Sequence, residues 1–264
     1  IGNINNTSGA NTYVAWQWKA NGGTETHSQT ETGTSLACST QANSTALFSI
    51  TTYTGTGTAG DKITHGLGVV PQFHITKRRS GTENWLVYHH KNTAAPETDH
   101  LLLDTTDATS DSDTRFNDTA PTSTLITYGN NAVCNGDAST YVNYAFAEVQ
   151  GFSKFGSYTG NGNADGPFVY TGFKPAMIIK KVTSGTGDWH ISDNKQNSHN
   201  AFDNALRPHK SNATETGNTV DFLSNGFKIR NTGGSWNSNG STYIYLAFAE
   251  HPFTSSEGVP TTAR

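Results

Sequence analysis

The chain has 264 residues, with 17 Lys+Arg against 21 Asp+Glu, a formal net charge of −4, and only 14% charged and 33% hydrophobic side chains. Scattered cations and a pI near 6.2 lack the basic stripe that phosphate neutralisation on nucleic acid requires. The longest apolar runs, such as YIYLAFA from Tyr243, fall far short of the roughly 18 residues of a membrane span.

In chain order, the first strand signal is NTYVAWQWKA from Asn11, followed over residues 19–46 by Thr, Ser, Gly and Asn with few large apolar groups. This stretch reads as an extended connector or a poorly packed hairpin. Strand signals then come as FHIT from Phe73, NWLVYHH from Asn84, HLLLD from His100, STLITY from Ser123 and TYVNYAFAEV from Thr140. A second series follows: AMIIKKV from Ala176, DWHIS from Asp188, VDFL from Val220, FKIR from Phe227 and TYIYLAFAE from Thr242. Asn225-Gly226 between VDFL and FKIR is a hairpin signal, because both residues tolerate the positive φ of a tight turn. A helical period is suggested only around SHNAFDNALRP from Ser198.

The two series are copies. YTGTG from Tyr53 returns as YTGNG from Tyr158; Gly68, Pro71, Ile75, Lys77, Trp85 and Lys91 return as Gly172, Pro175, Ile179, Lys181, Trp189 and Lys195; STYVNYAFAE returns as STYIYLAFAE. Each copy is about 100 residues, the usual size of an immunoglobulin-like sandwich. The sequence therefore predicts an all-β fold of two tandem β-sandwich-like units, over residues 47–150 and 151–253. Before them, residues 1–46 hold the connector and a strand resembling the end of another unit, since Thr12, Tyr13 and Val14 correspond to Thr140, Tyr141 and Val142. Residues 254–264 read as a tail. No secretory leader is visible and the first residue is Ile1, the pattern of a processed product or a piece of a longer polypeptide.

The residues shared by both copies are mostly Gly, Pro, Tyr, Trp and short apolar patterns, which determine a fold rather than perform chemistry. Gly55, Gly57, Gly160 and Gly162 read as turn residues, Pro71 and Pro175 as strand starts, and Trp85 and Trp189 as core. His74, His89 and His90 map onto Ile178, Asp193 and Asn194, so no duplicated metal site is expected, and adjacent His89 and His90 point to opposite faces of a regular strand. The acidic run from Asp104 lacks a calcium-loop pattern and reads as a solvated loop. Glu148 and Glu250 lie one unit apart, too far for a glycosidase pair, and suit strand-end hydrogen bonding. Cys38 and Cys134 could pair once or stay free. With no nucleophile elbow, Cys/His arrangement or phosphate loop, the chain is not expected to be an enzyme, and no catalytic residue, metal or cofactor is assigned. The candidate ligand-binding residues are Trp16, Trp18 and Trp236: exposed aromatic faces among Asn, Thr and Gly would stack on sugar C–H groups while polar neighbours bond the hydroxyls.

The blocks YTGTG…HGLGVVPQFHITKRR…W, STYVNYAFAEVQGFSKFGSYTGNGNADGPFVYTGFKPAMIIKKV and LSNGFKIR resemble a repeat domain of large virion proteins in marine tailed phages, over residues 12–253. The resemblance implies a structural tail-fibre-like or spike-like appendage on the virion surface, self-associating as a homotrimer, joined to other virion proteins and touching a host surface glycan or protein. It supplies no catalytic residues. The alternatives are a carbohydrate-binding module of a larger depolymerase and a capsid decoration protein.

Overall fold

The structure, a computed structural model, describes residues 13–20, 23–27, 33–197, 199–217 and 219–252. It is nearly all β. The first unit contains β1 (Thr24–His27), β2 (Cys38–Asn43), β3 (Phe48–Thr54), β4 (Asp61–Thr64), β5 (Phe73–Arg78), β6 (Leu86–His89), β7 (Asp99–Leu102), β8 (Ser110–Asp111), the one-turn helix α1 (Asp113–Phe116), β9 (Leu125–Tyr128), the one-turn helix α2 (Ala132–Asn135) and β10 (Thr140–Phe146). The second contains β11 (Ser153–Thr159), β12 (Phe168–Tyr170), β13 (Pro175–Val182), β14 (His190–Asp193), β15 (Val220–Leu223), β16 (Gly226–Ile229), the one-turn helix α3 (Gly234–Asn237) and β17 (Thr242–Ala249).

All strand pairs are antiparallel. The main sheet of the first unit runs β1-β2-β3-β10-β5-β6-β7-β8 and is covered by the pair β4-β9. That of the second runs β11-β17-β13-β14 and is covered by β12-β16-β15. In both, the last strand of the copy lies at the centre of the sheet. Tyr141 pairs with Tyr53 on one side and Arg78 on the other; Tyr243 pairs with Tyr158 and Val182.

Three cores result. One fills the first sandwich around Tyr53, Ile63, Ile126, Tyr128 and Tyr141, and one fills the second around Tyr158, Phe222, Phe227, Trp236 and Tyr243. The third joins the main sheets back to back: Phe48, Phe73, Val87, Leu101 and Phe146 from the first unit meet Phe155, Met177, Trp189, Ile244, Leu246 and Phe248 from the second. This explains the unbroken apolar run of β17, whose residues are buried on both faces. Hydrogen bonds cross the same seam, from Trp189 Nε1 to the Leu102 carbonyl (2.9 Å), from His90 Nε2 to the Phe155 carbonyl (2.8 Å), and from Gly187 N to the Thr106 carbonyl (2.8 Å).

The duplicated YTGxG motif is a clamped loop. Tyr141 Oη donates to the Ala132 carbonyl (2.6 Å) and Tyr243 Oη to the Gly234 carbonyl (2.6 Å), while Tyr53 and Tyr158 stack on them and donate to Cys134 and Trp236 carbonyls. Asn135 then donates to the carbonyls of Thr58 (2.8 Å) and Gly129 (3.0 Å) and accepts from Thr56 N (3.0 Å). Asn237 repeats the role, donating to the Asn163 carbonyl (2.7 Å) and accepting from Asn161 N (2.8 Å). The chains approach so closely that a Cβ on Gly55 would sit 2.6 Å from the Gly136 carbonyl, and one on Gly160 2.3 Å from that of Ser238. Only glycine fits there.

Several sequence expectations change. Of the two readings of residues 19–46, the hairpin is the one present, but it is paired into the edge of the first sheet as β1 and β2 rather than standing as a connector. β2 carries no large apolar side chain: it buries Cys38 in the first core and Thr40, which bonds Thr51 of β3 (3.0 Å), and both threonines bond the Thr64 carbonyl (3.3 and 3.0 Å). Residues 199–208 form no helix but make isolated bridges, Phe202 with Val220 and Ala205 with Glu215; Ser198 lies outside the described residues, as does the tail 254–264. Trp85 and Trp189 are not equivalent in burial: Trp189 is fully buried in the seam, whereas Trp85 is half-buried beside Lys77. Cys38 and Cys134 are both buried and form no disulfide.

Asn135→Ala is expected to cost about 1–3 kcal/mol, because it removes the donor to the buried Gly129 carbonyl, one donor to the buried Asp61 carboxylate and the acceptor of the Thr56 amide. Exposed Asn130→Ala should change stability by less than about 0.5 kcal/mol. Urea denaturation checks both, and equal effects would contradict the clamp.

Candidate functional site

The tryptophans chosen from sequence do not converge. Trp236 is 2% exposed in the second sandwich, with the Lys180 ammonium position 3.9 Å from its ring centroid and the His190 ring 5.0 Å away. It offers no face to a ligand. Trp16 and Trp18 are half-buried against the seam, and Trp18 meets Phe248 at 5.0 Å and Phe146 at 5.9 Å, edge to face.

Outward aromatics occur elsewhere. β12 is an edge strand whose central Val169 points into the second core, so its neighbours Phe168 and Tyr170 must face out; they are 46% and 64% exposed. The strand is held by pairing with β16, and the turn after it by Thr171, whose hydroxyl donates to the Phe173 carbonyl (2.6 Å) and whose amide donates to the Asn225 carbonyl (3.0 Å). Gly172 continues the turn at φ +84. In the first unit the matching positions are Thr64 and Gly66, so the aromatic pair belongs to the second unit alone.

Tyr170, Thr171 and Gly172 form one wall of a cleft of about 360 Å³, and Glu148, Gln150, Ser153 and Lys154 form the other. That second wall is the link from β10 to β11 together with the start of β11. Glu148 is fixed there by Lys154 Nζ (2.9 Å) and the Phe155 amide (2.8 Å); its counterpart Glu250 pairs with Lys174 (2.7 Å) and Asn194 (2.8 Å). The cleft combines an exposed ring, a carboxylate, an ammonium and an amide, suited to a ligand with alternating C–H faces and hydroxyls. The sequence reading passed over it, because the three-residue stretch FVY from Phe168 gave no strand signal of its own; the lack of aromatic counterparts to Phe168 and Tyr170 in the first unit was the available signal.

The other chemistry-bearing groups serve the fold. His89 Nδ1 accepts from Lys91 N (3.1 Å) and its Nε2 bonds the Tyr245 carbonyl (3.2 Å), while His74 stacks on Tyr88 and contacts Asn143 Nδ2 (3.3 Å). Burial pushes both rings down to about 3. Among the described residues no group of three His, Cys, Asp or Glu side chains could hold a metal. The acidic run from Asp104 docks on the second unit: Thr109 N donates to the Thr183 carbonyl (3.1 Å). Lys180, walled in by Trp236 and bonded to the Ser235 carbonyl, has no exposure, and burial holds its amine well below the usual lysine range. Asp188 gathers His209 (2.8 Å), Lys210 (2.7 Å) and Arg207 (3.1 Å), tying residues 207–210 to the start of β14.

Residues 1–252 match a family whose description is a domain of unknown function (DUF7483). No curated protein and no solved structure matches the chain.

Above pH 6.5, His74 and His89 are neutral in both folded and unfolded states. Between about 6.5 and about 3 only the unfolded chain takes up their protons, so stability falls as pH drops through this window. Each ring contributes up to about 1.4 kcal/mol per pH unit. Denaturation between pH 7 and 4 should show this loss, with a shallower slope in His74→Asn; equal slopes would contradict the assignment.

Proposed function

The chain belongs to the DUF7483 family, and we propose that it is a non-enzymatic structural module of a virion appendage, tail-fibre-like or spike-like, that touches a host surface glycan through the cleft at Tyr170. The observation that carries the glycan contact is the outward Tyr170 ring, 64% exposed, across a cleft from the polar wall of Glu148, Gln150 and Lys154. A pyranose stacked on the Tyr170 ring would place hydroxyls within reach of those three side chains. The virion setting is supported by the sequence resemblance and by the low-charge, Thr- and Asn-rich β-layers. Self-association as a homotrimer and attachment to other virion proteins are part of the same proposal. The cleft equally suits a carbohydrate-binding module of a larger depolymerase, a reading favoured by a catalytic domain in the same polypeptide.

Titration of the purified protein with host cells and a polysaccharide panel should show saturable binding that Tyr170→Ala weakens at least about tenfold, about 1.4 kcal/mol, without moving the melting temperature. Binding to none of the panel, or equal binding by Tyr170→Ala, would overturn the glycan contact.

A further inference from the structure

The duplicated sheets differ at one edge. In the first unit the outer edge of β3 carries β2, with Ser39 opposite Thr52 and Gln41 opposite Ile50, and β2 carries β1. β11 is the copy of β3, yet it is a terminal strand that pairs with β17 alone. Alternation along an antiparallel pair decides which of its backbone groups face out. The Gly160 amide donates to the Ser241 carbonyl (2.8 Å) and the Ala249 amide to the Phe152 carbonyl (2.8 Å), so the even-numbered residues of β11 bond β17. Ser153, Phe155, Ser157 and Thr159 therefore turn their N–H and C=O groups to the open side.

Half of that side is already closed. The Ser153 amide donates to the Val149 carbonyl (2.9 Å), the Phe155 amide donates to Glu148 Oε1 (2.8 Å), and the Phe155 carbonyl accepts from His90 Nε2 (2.8 Å). Glu148 and His90 thus do for Phe155 what Gln41 does for Ile50. Among the described residues nothing bonds the outward backbone groups of Ser157 or Thr159. Both residues are exposed, and Ser157 borders a cleft of about 480 Å³ whose walls include the hydroxyl residues Thr93, Thr109, Thr183 and Thr242.

A second open edge lies across the molecule. β1 ends the first main sheet and pairs with β2 alone. Since β2 bonds β3 through Ser39 and Gln41, it bonds β1 through Cys38 and Thr40, which leaves the N–H and C=O groups of Thr24 and Thr26 facing out. Among the described residues these too are unbonded, and Thr24, Glu25 and Thr26 are exposed. In the sheet order β1 and β6 stand on opposite sides of β10. His90, the residue after β6, marks the side on which β11 is open, so the two free edges face away from each other.

We propose that β1 of one copy of this chain pairs antiparallel with the open edge of β11 in the next, Thr26 opposite Ser157 and Thr24 opposite Thr159, and so joins copies head to tail through a continuous sheet. The inference rests on the self-association proposed above and names its surface. The occupant is a second copy because the chain itself carries a free edge of matching length and chemistry. Thr26 opposite Ser157 repeats Ser39 opposite Thr52, two small hydroxyl residues, and paired residues share a face, so Thr24 and Thr26 enter the hydroxyl-lined cleft without burying a charge. Unlike edges facing away from each other make a heterologous contact, which closes into a ring, of three copies in the homotrimer.

Proline at Ser157 or Thr26 removes an outward N–H and leaves the ladder to β17 or β2 intact, a position that edge strands tolerate. Analytical ultracentrifugation of the 264-residue chain is expected to give a trimer that Ser157→Pro and Thr26→Pro each shift to monomer with unchanged melting temperature. Mixing the two variants at high concentration should yield a dimer and nothing larger, because one intact β1 and one intact β11 remain between them. Ser157→Ala, which keeps the amide, should sediment as the natural chain does. Ser157→Lys and Thr26→Lys keep every backbone bond and should reproduce the result where proline disturbs a strand. Oligomers that survive in the proline and lysine variants, or a mixture that stays monomeric, would overturn the edge pairing and leave self-association standing. A monomeric natural chain would overturn both.

Discussion

Everything in this molecule hangs on the two faces of β10 and β17, buried on both sides in β17 and closed against the seam by Phe146 and the half-buried Tyr144 in β10. A strand in an ordinary sandwich has one dry face and one wet one. Here each central strand serves its own sandwich with one set of side chains and the seam between sandwiches with the other. The seam is aromatic, with Phe146, Phe155 and Phe248 within 6.3 Å of one another, centroid to centroid. Each Å² of apolar surface removed from water there stabilises the joined units by about 25 cal/mol. The buried histidines and Trp189 add hydrogen bonds across the seam that are satisfied only when both units are folded.

The second constraint is local and duplicated. A residue entering the central strand must first be turned by the one-turn helix, and the stacked tyrosines with Asn135 or Asn237 hold that turn against the YTGxG loop. Backbone groups in such a tight loop have no strand partners, so side-chain amides supply the hydrogen bonds. The same clamp frees β12 and the link from β10 to β11 to carry surface features, and the cleft at Tyr170 is built from those two pieces.

Much of the fold was legible in the sequence because copying preserves what the backbone demands. The glycines of YTGxG and the terminal strands appear as read; the hairpin between VDFL and FKIR is there too, but it turns through Ser224-Asn225 with Gly226 already paired to Leu223, and without a positive φ at Asn225 or Gly226. What escaped were features that depend on partners distant in the chain. Trp236 looks like an exposed aromatic among Ser, Asn and Gly, yet it lies under Lys180 in a core. β2 looks like linker because the residues it buries, Cys38 and Thr40, are small. The cleft was invisible because Tyr170 and Glu148 come together only when the second sandwich folds over the link. Repetition also misled at Trp85 and Trp189, since two copies stacked on each other do not bury matching residues alike.

The central claim is that the seam makes the two sandwiches one cooperative body. Native-state hydrogen exchange in low denaturant measures it directly, residue by residue, on the amides of β10 and β17. The account predicts that both strands exchange through a single opening with the same free energy and the same denaturant dependence. Two distinct opening energies, one for each strand, would contradict it and show the units to be independent.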